Sequence, residues 1–268
     1  MIVKGKKGDR MPTVSIKNVS KHYTGTDGNE VQALKNVNFT VKEGEFVCIV
    51  GPSGCGKSTL LEVIAGLLDP SEGEIRLDDK KIKGTSRDIG VVFQDASLFP
   101  WRTIYKNVAF GMEIAKIPKK EQGQRIEKYI EMVNLKGFEH KYPAQLSGGM
   151  RQRTGLARTF AMEPKVILMD EPFSAVDHLT RCKLQEELIS IWEKEKKTII
   201  FVTHDINEAV YLADRIILLS PRPSSVQRIY EVEHKGKRDR NAKALIDIAS
   251  EVVIDINNGG NFRLENKE

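Results

Sequence analysis

The sequence GPSGCGKST at 51–59, which directly follows the apolar run FVCIV at 46–50, constrains the fold more than any other feature. It has the glycines, lysine and serine of the pattern G-x-x-x-x-G-K-[ST], and TLLEVIAGL after it predicts a helix. Glycines let backbone N–H groups close around an anion, and the helix directs its positive N-terminal end at the same place. A buried strand, a phosphate-binding loop and a helix in this order predict an α/β fold.

The loop contains side chains suited to a nucleoside triphosphate. Lys57 is expected to reach the β- and γ-phosphates, and the Ser58 hydroxyl is expected to ligate Mg²⁺. A small residue at a free position of the pattern is the simpler interpretation of Cys55, and a redox role is the alternative. The remaining loop residues predicted to bind the nucleotide are Gly51, Pro52, Ser53, Gly54, Gly56 and Thr59, together with Cys55.

Further apolar runs predict buried strands at 89–93, 165–170, 198–203 and 215–220, with amphipathic helices between them. The first 80 residues instead alternate with period two, which is typical of an antiparallel, half-buried sheet. We therefore predict an α/β fold, with a P-loop NTPase core, a mostly parallel sheet, an N-terminal antiparallel β subdomain and an inserted helical subdomain. The predicted boundaries are 12–222 for the ATPase domain, about 100–160 for its helical lobe, and 223–268 for a short C-terminal tail of weak patterning.

Composition narrows the class of protein. The 268 residues suffice for a substantial core, and 40% hydrophobic and 29% charged residues are typical of a soluble globular protein. No apolar run approaches the roughly 20 residues that cross a bilayer, and the N-terminal lysines lack the apolar core of a secretory signal. Cys48, Cys55 and Cys182 lack the spacing of a metal site or disulfide framework, so we expect reduced thiols in the cytoplasm.

The net charge of +5 is modest, and part of it lies in the run KGKRDRNAK at 235–243. Such runs usually form solvated tails, which we expect here, and a contact with nucleic acid or lipid is the alternative. The sequence assigns no function to the residues from about 223 onward.

Polar residues follow three of the predicted strands. Asp170 and Glu171 end one strand, and because side chains alternate along a strand we expect them to point to different places. Asp170 would then hold Mg²⁺, while Glu171 polarises the water that attacks the γ-phosphate. Gln94 and His204 follow two other strands, and the carboxyl ends of parallel strands meet on one edge of a sheet. Gln94 there could contact both Mg²⁺ and the attacking water.

The sequence LSGGMRQR at 146–153 completes a set of motifs that resembles the ATP-binding cassette (ABC) ATPases over roughly residues 12–222. In the family's order these motifs are Tyr23 as the aromatic that stacks on adenine, the Walker A loop at 51–59, Gln94, the signature LSGGM at 146–150, Walker B at 166–170 with Glu171 as general base, the D-loop SAVD at 174–177, and the switch His204. Val176 departs from the leucine that is commoner in the D-loop. Simple packing is the alternative for Tyr23.

The resemblance implies binding of ATP and Mg²⁺ by a head-to-tail dimer, in which the signature of one subunit caps the ATP held by the Walker A loop of the other. Ser147 is a natural N-cap, and Gly148 and Gly149 allow a close approach to the γ-phosphate. Asp177 of the D-loop is assigned to the nucleotide site in the same way. The second subunit is either the same chain or a paralogue.

A transport role requires separate transmembrane permease subunits. Phe99, Pro100 and Trp101 form an apolar cluster among polar neighbours, which predicts the docking site; covering the domain's own core is the alternative. The short motifs LFPW, NVAFG and LSPRP resemble ATPases of nitrate, sulfonate and taurine importers. This resemblance implies uptake of a small anionic solute from a solute-binding protein, with the chain peripheral to the cytoplasmic face of the membrane.

Two other classes of P-loop protein fit the sequence less well. ABC ATPases that act on chromosomes insert a long coiled coil, for which the interval from Gln94 to Ser147 is too short, and those that act on ribosomes usually carry two cassettes. Small-molecule kinases have no need of LSGGM. We therefore expect transport, with a soluble ABC ATPase acting on nucleic acid or ribosomes as the alternative, and we expect no nucleic-acid partner.

Overall fold

The computed structural model describes residues 14–25, 28–234, 236 and 238–258. The predicted start of the domain at 12, the N-terminal Lys4, Lys6 and Lys7, and Lys235 and Lys237 of the basic run lie outside the described residues. Over the described part of the chain, no helix is both long and apolar enough to cross a membrane. None of the three cysteines forms a disulfide, as the sequence predicts.

The strands, in chain order, are β1 (Val14–Thr24), β2 (Glu30–Val41), β3 (Phe46–Val50), β4 (Glu72–Leu77), β5 (Lys80–Lys81), β6 (Ile89–Val92), β7 (Val166–Asp170), β8 (Thr198–Val202), β9 (Arg215–Leu219) and β10 (Val226–Glu231). The helices are α1 (Lys57–Ile64), α2 (Ile104–Ile114), α3 (Lys119–Met132), α4 (Gly148–Phe160), α5 (His178–Glu195), α6 (Ile206–Leu212) and α7 (Lys243–Asn257). The described residues divide into two compact units, one within 1–85 and 204–268 and the other within 86–203.

The first unit contains an antiparallel sheet in which β1 lies between β2 and β4, and β4 pairs with β5. Val37, Phe39 and Val41 of β2 are buried while the residues between them are exposed, because successive side chains point to opposite faces. This arrangement confirms the predicted N-terminal antiparallel subdomain. Every residue of β3 is buried, as its apolar sequence predicts, and β3 pairs in parallel with β9. β9 pairs with β10 in the antiparallel direction.

The second unit has parallel strands and most of the helices. β7 lies between β6 and β8, and all three strands run in the same direction. The first four residues of β7 and all of β8 are buried. Ile126 and Ile130, one helical turn apart, are buried on α3, which packs with α2 and α4. These elements confirm the predicted α/β class, and the boundaries of a helical lobe at about 100–160 stay a prediction.

The C-terminal part is more regular than its sequence pattern indicates, because β10 and α7 lie in it. Asp255 on α7 is buried, and its carboxylate accepts hydrogen bonds from Arg228 Nη1 at 3.0 Å and from the Tyr230 hydroxyl. Gln227 Nε2 donates to the Asp255 carbonyl oxygen at 3.2 Å. The three donors all belong to β10, so this cluster attaches α7 to β10.

The expectation of a solvated tail is wrong for two arginines of the basic run. The Arg238 side chain is only 5% exposed, and its Nη2 atom lies 3.2 Å from Asp214 Oδ1. The Arg240 guanidinium carbon lies 3.6 Å from the centre of the Tyr211 ring. A carboxylate and an aromatic ring make burial of these cations favourable, and neither partner is apparent from charge counted along the sequence.

Candidate functional site

The phosphate loop of the first unit is held by its own lysine. The Lys57 side chain is buried, and its Nζ atom donates to the carbonyl oxygens of Gly51 at 2.9 Å and Pro52 at 3.1 Å. Lys57 is also the first residue of α1, so the ammonium and the positive end of the helix lie on one short segment. This arrangement concentrates positive charge at the loop, as the binding of a triphosphate requires.

Glycine is required at Gly51 because the loop approaches β9 closely there. A Cβ atom on Gly51 would lie 2.9 Å from the Leu219 carbonyl oxygen and 3.0 Å from the Cys55 sulfur. Gly56 has a φ of 116°, a conformation that L-residues rarely adopt. Cys55 is buried beneath the loop, which supports the simpler interpretation of this residue over a redox role.

Tyr23 presents an aromatic ring beside the end of the loop. It lies in β1, 40% of its surface is exposed, and its hydroxyl donates a hydrogen bond to Thr59 Oγ1 at 3.4 Å. Lys21 Nζ lies 5.5 Å from the ring centre. An exposed ring in this position is available to the base of a nucleotide, whereas a core-packing residue would be covered. Stacking on adenine remains a prediction.

His204 is exposed and directly precedes α6 in the first unit. The Asp205 side chain caps this helix by accepting a hydrogen bond from the Glu208 backbone N–H at 3.2 Å. The sequence DINE at 205–208, with a capping residue followed three residues later by a glutamate, is typical of a helix start of this kind. Because the cap fixes the first turn of α6, it also fixes the backbone that carries His204.

In the second unit, one cleft brings three of the predicted residues together. Gln94, Gly148 and Asp170 line a cleft of about 550 Å³, along with Asp95 and Gln152. Gln94 is exposed two residues after the end of β6, and Asp170 is the last residue of β7. An amide oxygen and a carboxylate are suitable Mg²⁺ ligands. The donor set therefore fits the predicted metal ion.

Glu171 does not continue the alternation of β7, so the geometric reason given for its direction is wrong. Its φ is 44°, in the left-handed region, and the chain turns there. Its backbone N–H donates to the Val202 carbonyl oxygen at 3.0 Å, while its own carbonyl oxygen accepts from Ser174 Oγ at 2.9 Å. The backbone that carries the carboxylate is therefore held by a strained turn rather than by strand geometry.

The signature forms the N-terminus of α4. Ser147 Oγ accepts a hydrogen bond from the Met150 backbone N–H at 3.3 Å, which confirms the predicted N-cap. The two glycines differ in surroundings. Gly148 is exposed, and a Cβ atom there would come no closer than 3.9 Å to another atom. Gly149 is buried, and a Cβ atom there would lie 2.9 Å from Thr180 Cγ2. Only Gly148 has room on its outer side for a ligand.

Asp177 of the predicted D-loop is the N-cap of α5. Its Oδ1 atom accepts a hydrogen bond from the Thr180 backbone N–H at 3.1 Å. This bond to the backbone lowers the pKa of the Asp177 carboxyl, because it stabilises the charged form. The structure thus gives Asp177 a capping role, and a contact with the nucleotide remains a prediction.

Arg158 supports the segment after Gln94, and the sequence reasoning missed it. Its Nη2 and Nη1 atoms donate to the carbonyl oxygens of Ala96 at 2.7 Å and Ser97 at 2.8 Å. Burial lowers the pKa of this guanidinium, which nevertheless stays charged at neutral pH. One cation thus attaches this segment to α4. A basic residue in the last turn of a helix gives no signal of such a bond.

The predicted docking cluster has both a packed and an exposed part. The Phe99 ring lies 4.4 Å from that of Phe110 between centres and is half-buried, while Trp101 is 72% exposed. Arg102 stacks over Phe110 at 5.0 Å and bonds to Glu113 at 2.8 Å. The core-packing alternative therefore describes Phe99 well but not Trp101.

Comparisons with known proteins identify the family. The family model described as ABC transporter matches residues 34–174. The chain is 49% identical over 249 residues to an uncharacterised ABC transporter ATP-binding protein of Methanocaldococcus jannaschii, covering 92% of this chain and 93% of that protein. The chain belongs to the ABC transporter family.

This ABC transporter ATP-binding subunit is also similar to the aliphatic sulfonates import ATP-binding protein SsuB of Bacillus cereus. The identity is 44% over 248 residues, which cover 92% of this chain and 97% of that protein. A solved dimeric ATP-binding cassette in a post-hydrolysis state, bound to ADP and phosphate, superposes with a TM-score of 0.72 at 38% identity. That match covers 83% of this chain and 100% of the other. The resemblance and the α/β fold predicted from the sequence are confirmed.

Proposed function

We propose that this ABC transporter subunit hydrolyses ATP within a head-to-tail dimer and thereby drives a separate permease that imports a small anionic solute. The observation that carries the proposal is the signature helix α4. Its N-terminus is capped by Ser147 and presents an exposed Gly148, in a chain that already contains a complete phosphate loop. A second anion site of this kind has a use when it closes over a nucleotide held by another subunit.

In this proposal the loop and several residues outside it bind the nucleotide and the metal ion. Lys57 binds the β- and γ-phosphates, and backbone N–H groups of residues 51–59 surround them. Tyr23 stacks on the base. Ser58, Gln94 and Asp170 would hold Mg²⁺, which when bound neutralises charge on the phosphates.

Hydrolysis needs a base and a group that responds to the γ-phosphate. Glu171 accepts a proton from the attacking water, and its turn holds the backbone that carries the carboxylate. His204 contacts the γ-phosphate, and Gln94 orients the water. Ser147, Gly148 and Gly149, with Asp177, complete the site of the partner subunit. ATP then stabilises the closed dimer, and its hydrolysis lets the subunits separate.

The solute class and the partners are inferred from similarity and from one surface. SsuB of Bacillus cereus is named as an importer of aliphatic sulfonates, which are small anions. Trp101 projects from a fixed turn, and a large exposed apolar side chain suits a docking contact. We infer that the permease docks near Phe99 and Trp101, that a solute-binding protein delivers the solute, and that the subunit lies on the cytoplasmic face of the membrane. Its dimer partner is another copy or a paralogue.

Replacing the base tests the ATPase part. Glu171→Gln is expected to bind ATP and accumulate as a dimer in size-exclusion chromatography, with ATP turnover reduced at least a hundredfold. Glu186→Gln, an exposed glutamate on α5, is the matched control and should turn over ATP normally. Near-normal turnover by Glu171→Gln would remove Glu171 from the role of base.

Membrane association tests the transport part. The tagged subunit, purified from detergent-solubilised membranes of its own cells, should carry a hydrophobic, multi-span protein identified by mass spectrometry. Trp101→Ala should lose this protein while its ATP affinity is unchanged. Recovery of RNA or DNA in place of a membrane protein would support the alternative, an ABC ATPase that acts on nucleic acid or ribosomes.

A further inference from the structure

Two arginines of the C-terminal basic run close over the last turn of α6. Arg238 Nη1 donates to the Tyr211 carbonyl oxygen at 2.9 Å and to the Ala213 carbonyl oxygen at 3.5 Å. His234 Nε2 lies 2.5 Å from the same Nη1 atom. Arg240 covers the ring of Tyr211. The last carbonyl groups of a helix have no partners within the helix, so a cation at this end satisfies them and complements the helix dipole.

The same cluster connects α6 to the strand that enters the phosphate loop. Arg238 Nη2 bonds to Asp214 Oδ1, and Asp214 Oδ2 accepts a hydrogen bond from the Phe46 backbone N–H at 3.0 Å. The Asp214 N–H also donates to the Phe46 carbonyl oxygen at 2.8 Å. Phe46 is the first residue of β3. Asp214 therefore fixes the end of α6 against β3, and Arg238 holds the Asp214 side chain in place.

The other end of α6 carries His204. The helix has seven residues, which corresponds to about 10 Å, and Asp205 caps its first turn. A helix this short is a nearly rigid rod within the packed unit. A shift at Tyr211 or Ala213 is therefore transmitted to the backbone beside His204, because interiors packed to crystal density do not absorb it.

We propose that Arg238 and Arg240 are positioning residues for His204, through which the C-terminal segment sets the rate of ATP hydrolysis. The proposal rests on the function proposed above, in which His204 contacts the γ-phosphate. It gives part of the basic run a role that neither a solvated tail nor a nucleic-acid contact describes. A displaced group at a reacting centre costs between about tenfold and a hundredfold in rate.

Steady-state ATP hydrolysis by single and double variants tests this. Arg238→Gln is expected to lower kcat about tenfold and leave KM for ATP within about twofold, because the phosphate loop and Tyr23, which the substitution leaves in place, provide most of the ATP binding. Arg240→Leu should lower kcat to a smaller extent. Arg240→Lys should keep kcat near the wild-type value, because a cation remains over Tyr211. Arg228→Gln is the matched control, since this arginine of the same segment bonds to α7 and not to α6; its kcat should be unchanged.

The decisive comparison combines these changes with His204→Ala. If the arginines act through His204, Arg238→Gln should cause no further loss of kcat once His204 is absent. Losses that multiply, an unchanged kcat, or an effect confined to KM would each overturn the proposal. If Arg238→Gln fails to fold, as judged by circular dichroism, the Arg240 variants are compared in the wild-type and His204→Ala chains. They then decide whether the arginines act through His204.

The catalytic contact of His204 and the positioning role of the arginines can be tested separately. If His204→Ala by itself leaves kcat unchanged, the proposed catalytic contact of His204 is wrong, and the positioning role falls with it. If His204→Ala lowers kcat but the losses multiply, only the positioning role is wrong.

Discussion

The Asn107 side chain binds the backbone of Phe99 from both directions. Its Oδ1 atom accepts from the Phe99 N–H at 2.9 Å, and its Nδ2 atom donates to the Phe99 carbonyl oxygen at 3.2 Å. The same Nδ2 lies 2.9 Å from the Arg102 carbonyl oxygen and 3.0 Å from that of Thr103, so three acceptors share its two hydrogens. One fully buried amide therefore closes the turn that exposes Trp101. The turn is preorganised, so a partner that docks on it need not pay to order it.

Asn107→Ala should destabilise the protein and loosen this turn. Loss of the amide leaves backbone groups of the turn without partners, and we expect the free energy of unfolding in urea to fall by about 3 kcal/mol. Recovery of the membrane partner should fall with it. Asn207→Ala, an exposed asparagine on α6, should change stability by less than about 0.5 kcal/mol. Equal effects of the two substitutions would contradict the role assigned to Asn107.

Tyr23→Ala should weaken ATP binding about tenfold, because stacking of a base on an aromatic ring contributes about 1–3 kcal/mol. Tyr23→Phe should bind nearly as well, since the bond to Thr59 is long and partly exposed. Equilibrium titration with a fluorescent ATP analogue measures both. Tyr142→Ala is a fair control, because its exposed fraction of 47% is close to the 40% of Tyr23. Unchanged affinity of Tyr23→Ala would mean that the ring only packs.

The two signature glycines should respond differently to alanine. Gly148→Ala should keep or slightly raise the melting temperature, because alanine favours helices, while ATP hydrolysis falls about tenfold or more. Gly149→Ala should lower the free energy of unfolding by about 1–3 kcal/mol, because its methyl group meets Thr180. Thermal denaturation and ATPase assays on both variants separate the two effects. Equal loss of stability would show that Gly148 also packs inside the subunit.

Asp255→Asn should release α7 from β10. The carboxylate is buried, and Arg228 is left without its main partner, so we expect a cost of about 2 kcal/mol. Amide hydrogen exchange within Lys243–Asn257 should become faster. Glu251 lies 3.1 Å from the same arginine but is exposed. Glu251→Gln should therefore have a much smaller effect. Similar exchange rates in the two variants would contradict the assignment of Asp255 as the anchor.

The parts of the fold that depend on neighbouring residues could be predicted from the sequence. Ser147 caps α4 by accepting a hydrogen bond from a backbone N–H only three residues away. The sequence FVCIV and the loop after it define β3 and α1. Strand burial follows from runs of apolar residues, because a strand covered on both faces needs no alternation. The α/β class and the motif order follow from these local patterns.

What the sequence could not predict depends on partners far along the chain. The backbone of Glu171 is fixed by Val202, and Arg238 is buried by Asp214 and Tyr211. Gly149 is a glycine because of Thr180, although the motif alone suggests a reason outside the subunit. Each contact depends on tertiary packing, which hydrophobic periodicity does not encode.

The left-handed backbone of Glu171 lowers the stability of the protein at the residue that we propose as the base for ATP turnover. A left-handed conformation, which glycine adopts freely, costs a residue with a side chain roughly 1–2 kcal/mol. A screen that ranks variants by melting temperature would therefore favour Glu171→Gly, and a screen that ranks them by ATP consumption would discard it first. Because Glu171 is the base in the proposed mechanism, engineering for thermal robustness should leave this position alone.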